Sequence, residues 1–228
     1  MPLRITTYNI HRCIGRDRAE SPERVAAVLS EIGADVVALQ EVAHRPETPG
    51  NVLAYLAESI GARSIEGTTL RDKRGNYGNA LLTRVTPDSI RRWDISVPRR
   101  EPRGALDVVL AANASTVRVV TTHLGLKAAE RRFQVRRILS LLTAGSADIT
   151  VVMGDLNEWY FWGRPLRWLN RRFAPMPCPA TFPSYRPVLA LDRMWVQPRY
   201  RLISLAAHRS ALARTASDHL PLVAELAL

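Results

Sequence analysis

Residues able to bind a cation or move a proton recur in this chain at the ends of apolar runs. Asn9 closes the run from Leu3, in Asn9-Ile10-His11, and Glu41 closes Asp35-Val36-Val37-Ala38-Leu39-Gln40. His123 ends a third run in Thr122-His123-Leu124, and Val151-Val152-Met153 leads into Gly154-Asp155-Leu156-Asn157. Asp192 opens the run through Arg193-Met194-Trp195-Val196, and Ser217-Asp218-His219 precedes Leu220-Pro221-Leu222. Polar side chains at strand ends gather at one edge of a sheet, and in open α/β sheets that edge is where ligands bind. Meeting there, Glu41, Asp155, Asp192 and Asp218 would join two imidazoles and two amides. Such acids cannot all ionise side by side without a cation or other partners. Oxygen donors without cysteine favour Mg²⁺, Mn²⁺ or Ca²⁺ over zinc. Each residue alone has a plainer reading: Asp155 and Asn157 as turn formers, Asp192 as a partner of Arg193, His123 and His219 as satisfied histidines at the edge of the core. It is their joint occurrence at strand ends that points to a site.

The elements that must position them read as an α/β alternation. A strand over Leu3–His11 is followed by a helix start in Ser21-Pro22-Glu23, with Ser as N-cap and Pro at the first helical position. Val25, Val28, Leu29 and Ile32 form one apolar helical face, Gly33 stops it, and Asp35–Glu41 is a second buried strand. A shorter helix fits Asn51–Ile60. Strands are expected near 63–66, 79–83, 89–96, 105–112 and 117–122, joined by short turns and therefore antiparallel in the middle of the chain. A helix over 127–144 carries Val135, Ile138, Leu139 and Leu142 on one face and arginines on the other. Further strands are expected at 148–153, 191–196, 201–207 and 220–226, with proline-rich loops at 175–183 and 187. No linker or fixed-period repeat divides residues 1–228, which read as one domain with a mixed sheet system and helices outside.

The bulk numbers narrow the class. With 228 residues, 46% of them apolar and 23% charged, the chain can bury a sizeable core and is not disordered in type. No run approaches a membrane span and no basic-then-apolar leader opens the sequence, so a cytoplasmic protein is expected. Cys13 and Cys178 have no metal-ligand spacing and are expected to be unpaired. The net charge of +11 would attract polyanions, whether nucleic acid, anionic lipid or phosphorylated substrate. Its excess of arginine over lysine also suits a plain compositional bias.

Taken together, these segments resemble the endonuclease/exonuclease/phosphatase superfamily, the hydrolases typified by pancreatic deoxyribonuclease. The resemblance runs in order through Thr7-Tyr8-Asn9-Ile10-His11, Leu39-Gln40-Glu41-Val42, Tyr77-Gly78-Asn79-Ala80-Leu81-Leu82, Arg103-Gly104-Ala105-Leu106, Thr122-His123-Leu124, Gly154-Asp155-Leu156-Asn157, Leu191-Asp192-Arg193 and Ser217-Asp218-His219. The chain is most similar to the small bacterial members. The resemblance implies a four-layer α/β sandwich of two mixed sheets face to face. It implies Glu41 as main ligand of a Mg²⁺ (or Mn²⁺) ion, with Asn9 and Asp218 beside it. Asp155 would position or deprotonate the attacking water, and Asn157 would hold a phosphoryl oxygen. His219, oriented by Asp192, and His123 would contact the phosphate. Arg103 and Asn79 would assist, with Arg100 as an alternative to Arg103. Some family nucleases carry a carboxylate two residues after the first-strand Asn, and here that position is His11, which argues against a second metal ligand there.

Three functions follow as expectations. The first is a metal-dependent phosphoesterase acting on a small or lipid-linked phosphoester as a monomer, suggested by short loops. Trp159-Tyr160-Phe161-Trp162 could then grip an apolar substrate or make a peripheral membrane contact, although packing a short helix against the sheet is the preferred reading of these four. The second is a DNA nuclease, suggested by the charge and by basic stretches at 71–74, 91–92, 99–103 and 171–172. The third is a non-catalytic basic binding protein.

Overall fold

The computed structural model describes residues 2–45, 51–73, 75–143 and 145–228. Strand β1 (Leu3–Asn9) leads through helix α1 (Pro22–Ile32) to β2 (Val36–His44), and α2 (Val52–Ser59) leads to a hairpin of β3 (Arg63–Asp72) and β4 (Gly75–Thr83). A meander follows: β5 (Pro87–Asp94), β6 (Gly104–Ala112) and β7 (Ser115–His123). Helix α3 (Ala128–Leu141) leads to β8 (Ile149–Asp155), and α4 (Arg164–Phe173) precedes β9 (Asp192–Gln197). The last elements are β10 (Leu202–Ala207), the single turn α5 (Ala213–Ala216) and β11 (Leu222–Leu226).

The strands form two mixed sheets, ordered β10-β11-β1-β2-β4-β3 and β5-β6-β7-β8-β9. The pairs β1–β2 and β7–β8 are parallel, and each is joined by a helical crossover, α1 and α3. Parallel neighbours need such a crossover because a tight turn cannot reverse the chain twice. Period-two alternation divides β2 between two cores. Val36 and Ala38 lie between the sheets with Ile5, Leu81 and Val119, whereas Val37 and Leu39 pack under Val25, Leu29 and Leu53 of α1 and α2. On the far side, the larger core reaches Val135 and Ile138 of α3 and Leu166, Leu169 and Phe173 of α4. The layers are therefore helix, sheet, sheet, helix, the sandwich expected from the sequence.

Local signals explain most boundaries. Ser21 accepts a hydrogen bond from the Arg24 amide, Pro22 opens α1, and Gly33 closes it at φ 60°. The buried stripe Val25, Val28, Leu29 and Ile32 fastens the helix to the sheet, each side chain contributing about 1.5–3 kcal/mol. Strand β1 stops at Asn9, short of the expected His11, because His11, Arg12 and Cys13 all take positive φ and turn the chain aside. The β3–β4 hairpin runs longer than expected, since its register continues to Asp72 and Gly75. The polar face of α3 is not all solvated: Arg131 is buried against Glu158. Helix α4 was not expected, because its few apolar residues are spread among arginines. Arg74 and Ala144 lie outside the described residues. Cys13 and Cys178 are unpaired. Among the described residues no helix is long and apolar enough to cross a membrane.

Candidate active site

The sheet registers bring the strand ends together. Asn9 pairs with Gln40 across β1–β2, His123 with Asp155 across β7–β8, and Asp155 with Asp192 across β8–β9. Two local distortions aim the side chains. Glu41 sits where the β2–β4 register shifts, at φ 57°, an uncommon conformation for a residue with a Cβ. Gly154 has φ 141°, and a Cβ there would lie 1.9 Å from the Thr122 carbonyl oxygen. Only glycine lets β8 approach β7 this closely just before Asp155.

Asp155 is the hub, almost wholly buried. Its Oδ1 accepts from the Asn157 amide at 2.9 Å, and its Oδ2 accepts from Asn9 Nδ2 at 3.0 Å. The same Asn9 amide donates to Glu41 Oε1 at 3.1 Å, so one side chain bridges two carboxylates. Asn9 is itself fixed: its Oδ1 accepts from the His11 amide, and its carbonyl accepts from Ser217 Oγ at 2.8 Å. No basic side chain pairs with Glu41 among the described residues.

The imidazoles flank this hub. His219 Nδ1 lies 2.8 Å from Asp192 Oδ2, and its Nε2 faces Asp155 Oδ2 at 3.7 Å. Burial alone would pull the His219 pKa down, but the charges of Asp192 and Asp155 and the Asp192 hydrogen bond outweigh it, and the imidazole is raised to about 10. It is therefore cationic at neutral pH. His123 is the opposite case. Burial, helped by the nearby charges of Arg103 and His219 and opposed by Asp155, lowers it to about 3, so it is neutral. Arg103 Nη1 points to His123 Nδ1 at 2.8 Å and Asn157 Nδ2 to His123 Nε2 at 2.9 Å. A neutral imidazole accepts at one nitrogen and donates from the other, so only one of these two contacts is an N–H···N bond; the Asn157 amide also donates to the Leu124 carbonyl at 2.9 Å.

The sequence-derived residues thus divide. Asn9, Glu41, His123, Asp155, Asn157, Asp192 and His219 meet, and Arg103 joins through His123. Arg100, the alternative to Arg103, turns to Glu130 at 3.2 Å. Asn79 is buried and donates to the Gly104 carbonyl rather than into this cluster. Asp218 is half-exposed at the rim, 3.8 Å from His11, though its charge still reaches His219. Two supporting residues were missed. Thr181 donates to Asp192 Oδ2 at 2.6 Å, and Phe182 packs on the His219 ring with centroids 4.9 Å apart. Both lie in the proline-rich loop, where nothing in the spacing marks them. The Trp159–Trp162 run corrects the preferred reading: all four rings are exposed and none packs a helix onto the sheet. The turn is held instead by Glu158, which closes over Gly163 and binds Arg131.

Asp155 and Asp192 bring carboxylate oxygens within 4.8 Å of one another, and Asp192 Oδ1 is buried without a hydrogen-bond partner. With Glu41 and Asn9 alongside, the donors are mostly oxygen, which fits a hard divalent cation.

A twin-sheet sandwich with a carboxylate–amide–imidazole cluster at one edge is the frame of a phosphoester hydrolase. The chain belongs to the endonuclease/exonuclease/phosphatase family, whose model matches residues 6–219. It is 31% identical to the uncharacterized protein YbhP of Escherichia coli (strain K12), over 99% of this chain and 96% of that protein. Among solved structures it is similar to the mannosyl-6-phosphatase Bt3783 of Bacteroides thetaiotaomicron (15% identity, TM-score 0.77, 99% of this chain and 100% of that one). It is also similar to TDP2 of D. rerio complexed with a single-strand DNA product (17% identity, TM-score 0.74, 100% and 99%). Family members are hydrolases of phosphoester bonds and generally use a divalent metal.

Proposed function

We propose that this protein is a Mg²⁺-dependent phosphoesterase acting on a small or lipid-linked phosphoester. The observation that carries the reading is the placing of His219, held by Asp192 at 2.8 Å and facing Asp155 across 3.7 Å. That distance is too long for a direct hydrogen bond. An oxygen seated between them would be within reach of both. Glu41, with Asn9 and Asp155 beside it, would hold the ion, which when bound would neutralise charge growing on the phosphoryl oxygens.

The chain's own groups do the rest. Asp155, fixed by Asn9 and the Asn157 amide, orients the attacking water and takes its proton. His219 already carries a proton at neutral pH, so it serves as donor to the phosphoryl or leaving oxygen rather than as base. Arg103, on the wall of the adjoining cavity, would supply a further N–H to a phosphoryl oxygen. A cavity of about 430 Å³ with Arg103, Trp93, Thr68 and Thr69 on its wall has the size of a small-ligand site.

Turnover of bis-p-nitrophenyl phosphate with Mg²⁺ or Mn²⁺ tests the reading. Asp155→Ala and His219→Ala should each lose most of it, and unchanged activity in both would defeat the assignment. A second reading, hydrolysis of DNA, draws on the +11 charge and the likeness to TDP2. Magnesium-dependent nicking of plasmid, steeply lost with salt, would favour it. Intact plasmid with protein that turns over the small diester would remove it.

A further inference from the structure

Between Glu158 and Asp192 the chain has no acidic residue, yet it carries Arg164, Arg167, Arg171, Arg172 and Arg186. The segment opens with Trp159, Tyr160, Phe161 and Trp162, which are 55%, 58%, 59% and 71% exposed. Four consecutive large rings in water are costly, and an exposed apolar patch of this kind marks a contact surface. The turn is firmly built. Glu158 is buried, takes Arg131 at 3.1 and 3.3 Å and accepts from the Tyr160 amide, while the Gly163 amide closes back on the Tyr160 carbonyl at 2.9 Å. Arg131 also holds the Leu126 carbonyl at 2.6 Å, which sets exposed Leu126 on a loop tied to the same anchor.

Helix α4 continues the surface with charge. Arg164, Arg167, Trp168 and Arg171, at i, i+3, i+4 and i+7, line one cavity of about 250 Å³, while Leu166, Leu169 and Phe173 are buried on the opposite face. Arg136 of α3 adds a further guanidinium over the Trp168 ring at 5.6 Å. Among the described residues no carboxylate pairs with Arg164, Arg167 or Arg171.

We propose that the aromatic turn and the basic face of α4 together dock on the surface of an anionic phospholipid bilayer. Tryptophan and tyrosine settle at the headgroup level, where one end of the ring is dry and the other wet. Arginines alongside take the negative surface, each strengthening binding about fivefold. The inserted part is the turn, since the apolar side of α4 is already spent on the core. Single-stranded nucleic acid fits less well: Tyr160 and Trp162 lie 5.2 Å apart and tilted, leaving no slot for a base, and Phe161 turns over Arg193 at 5.4 Å. Because the turn begins two residues after Asn157, docking would hold the catalytic edge close to the lipid plane. The docking goes beyond the hydrolytic reading and needs no metal.

Vesicle sedimentation in EDTA separates the two. The protein should bind phosphatidylcholine vesicles containing phosphatidylglycerol at about three to one, with a blue shift of tryptophan emission, and bind phosphatidylcholine alone at least tenfold more weakly. Arg167→Glu/Arg171→Glu should lower binding about 25-fold or more. Phe161→Ala/Trp162→Ala should weaken it and reduce the blue shift. Both variants should keep the melting curve and the turnover of soluble bis-p-nitrophenyl phosphate. Absence of binding to the anionic vesicles, or equal binding by both variants, overturns the proposal. Tight binding of a single-stranded oligonucleotide that these variants lose, without vesicle binding, would give the face to nucleic acid instead. Loss of turnover by the wild type would refute the phosphoesterase reading and leave the vesicle result standing.

Discussion

Asp192→Asn is the sharpest probe of the proposed chemistry. Asp192 Oδ2 takes both the His219 Nδ1–H and the Thr181 hydroxyl, and the residue is fully buried. An asparagine can place its carbonyl oxygen there and keep both hydrogen bonds, so the geometry survives while the charge goes. His219 then loses its largest support, and with burial opposed only by the remaining charges of Asp155 and Asp218 its pKa falls from about 10 toward the ordinary value of about 6.5. At pH 8 a group of pKa 6.5 is only about 3% protonated, so a step needing the cation slows roughly 30-fold. At pH 6 most of the imidazoles still carry the proton, and the same variant loses less than about twofold from this cause. The expected signature is a ratio of wild-type to variant kcat/KM that grows more than about tenfold between pH 6 and pH 8. Stopped assays with bis-p-nitrophenyl phosphate at saturating Mg²⁺ and constant ionic strength measure it. A uniform loss at all pH values would make Asp192 merely structural. A variant profile superimposable on the wild type would refute the cationic role of His219.

Other outcomes follow from the same geometry. Asn9→Ala releases the amide bridge between Glu41 and Asp155, and the Mg²⁺ concentration for half-maximal activity should rise about 10- to 100-fold, read from metal titrations. Gly154→Ala forces a methyl onto the Thr122 carbonyl oxygen and should leave little soluble protein, or melt many degrees lower, on the order of several kcal/mol. Asp107→Asn removes the carboxylate charge that faces buried Arg118, on the strands that lead away from Arg103 and up to His123, and should cost about 3–5 kcal/mol in urea unfolding, with a smaller loss of kcat than Asp155→Ala. In metal-free buffer the two histidines should shape stability in opposite directions. His219 binds a proton in the folded state that the unfolded state releases above 6.5, so its contribution is full below 6.5 and lost as pH rises through about 10. His123 refuses, down to about pH 3, a proton that the unfolded state accepts below 6.5, so acid removes stability through that window. His219→Gln should flatten the alkaline limb of the melting temperature, and an unaltered limb would count against the raised pKa.

Legibility in the sequence followed the range of the forces involved. Where a residue's partners are set by a strand's periodicity, one apolar run was enough: Val36 to Leu39 declare both of their cores, and Ser21, Pro22 and Gly33 declare both ends of α1. The convergence of Asn9, Glu41, Asp155 and His219 was legible for a related reason. Each stands at the end of a strand whose burial fixes its position, so the order of elements carries the geometry. What stayed hidden depends on pairs remote in sequence. Thr181 supports Asp192 and Phe182 supports His219 from a loop with no periodicity to read. Arg131, on the arginine face of α3, is buried by Glu158 from a loop remote in sequence, a pairing that no spacing announces. That buried pair also accounts for the misreading of the aromatic turn. Four rings beside a core strand suggest packing, because burial of apolar area usually decides such cases. Here Glu158 and Gly163 fix the turn from within, with the carboxylate folded under the chain, and the rings are left facing out. An ordinary hydrophobic segment would collapse onto the nearest core, and one braced by a buried ion pair is instead presented outward. The exposure of Trp159–Trp162 is therefore built into the fold, and a contact surface explains it better than poor packing does.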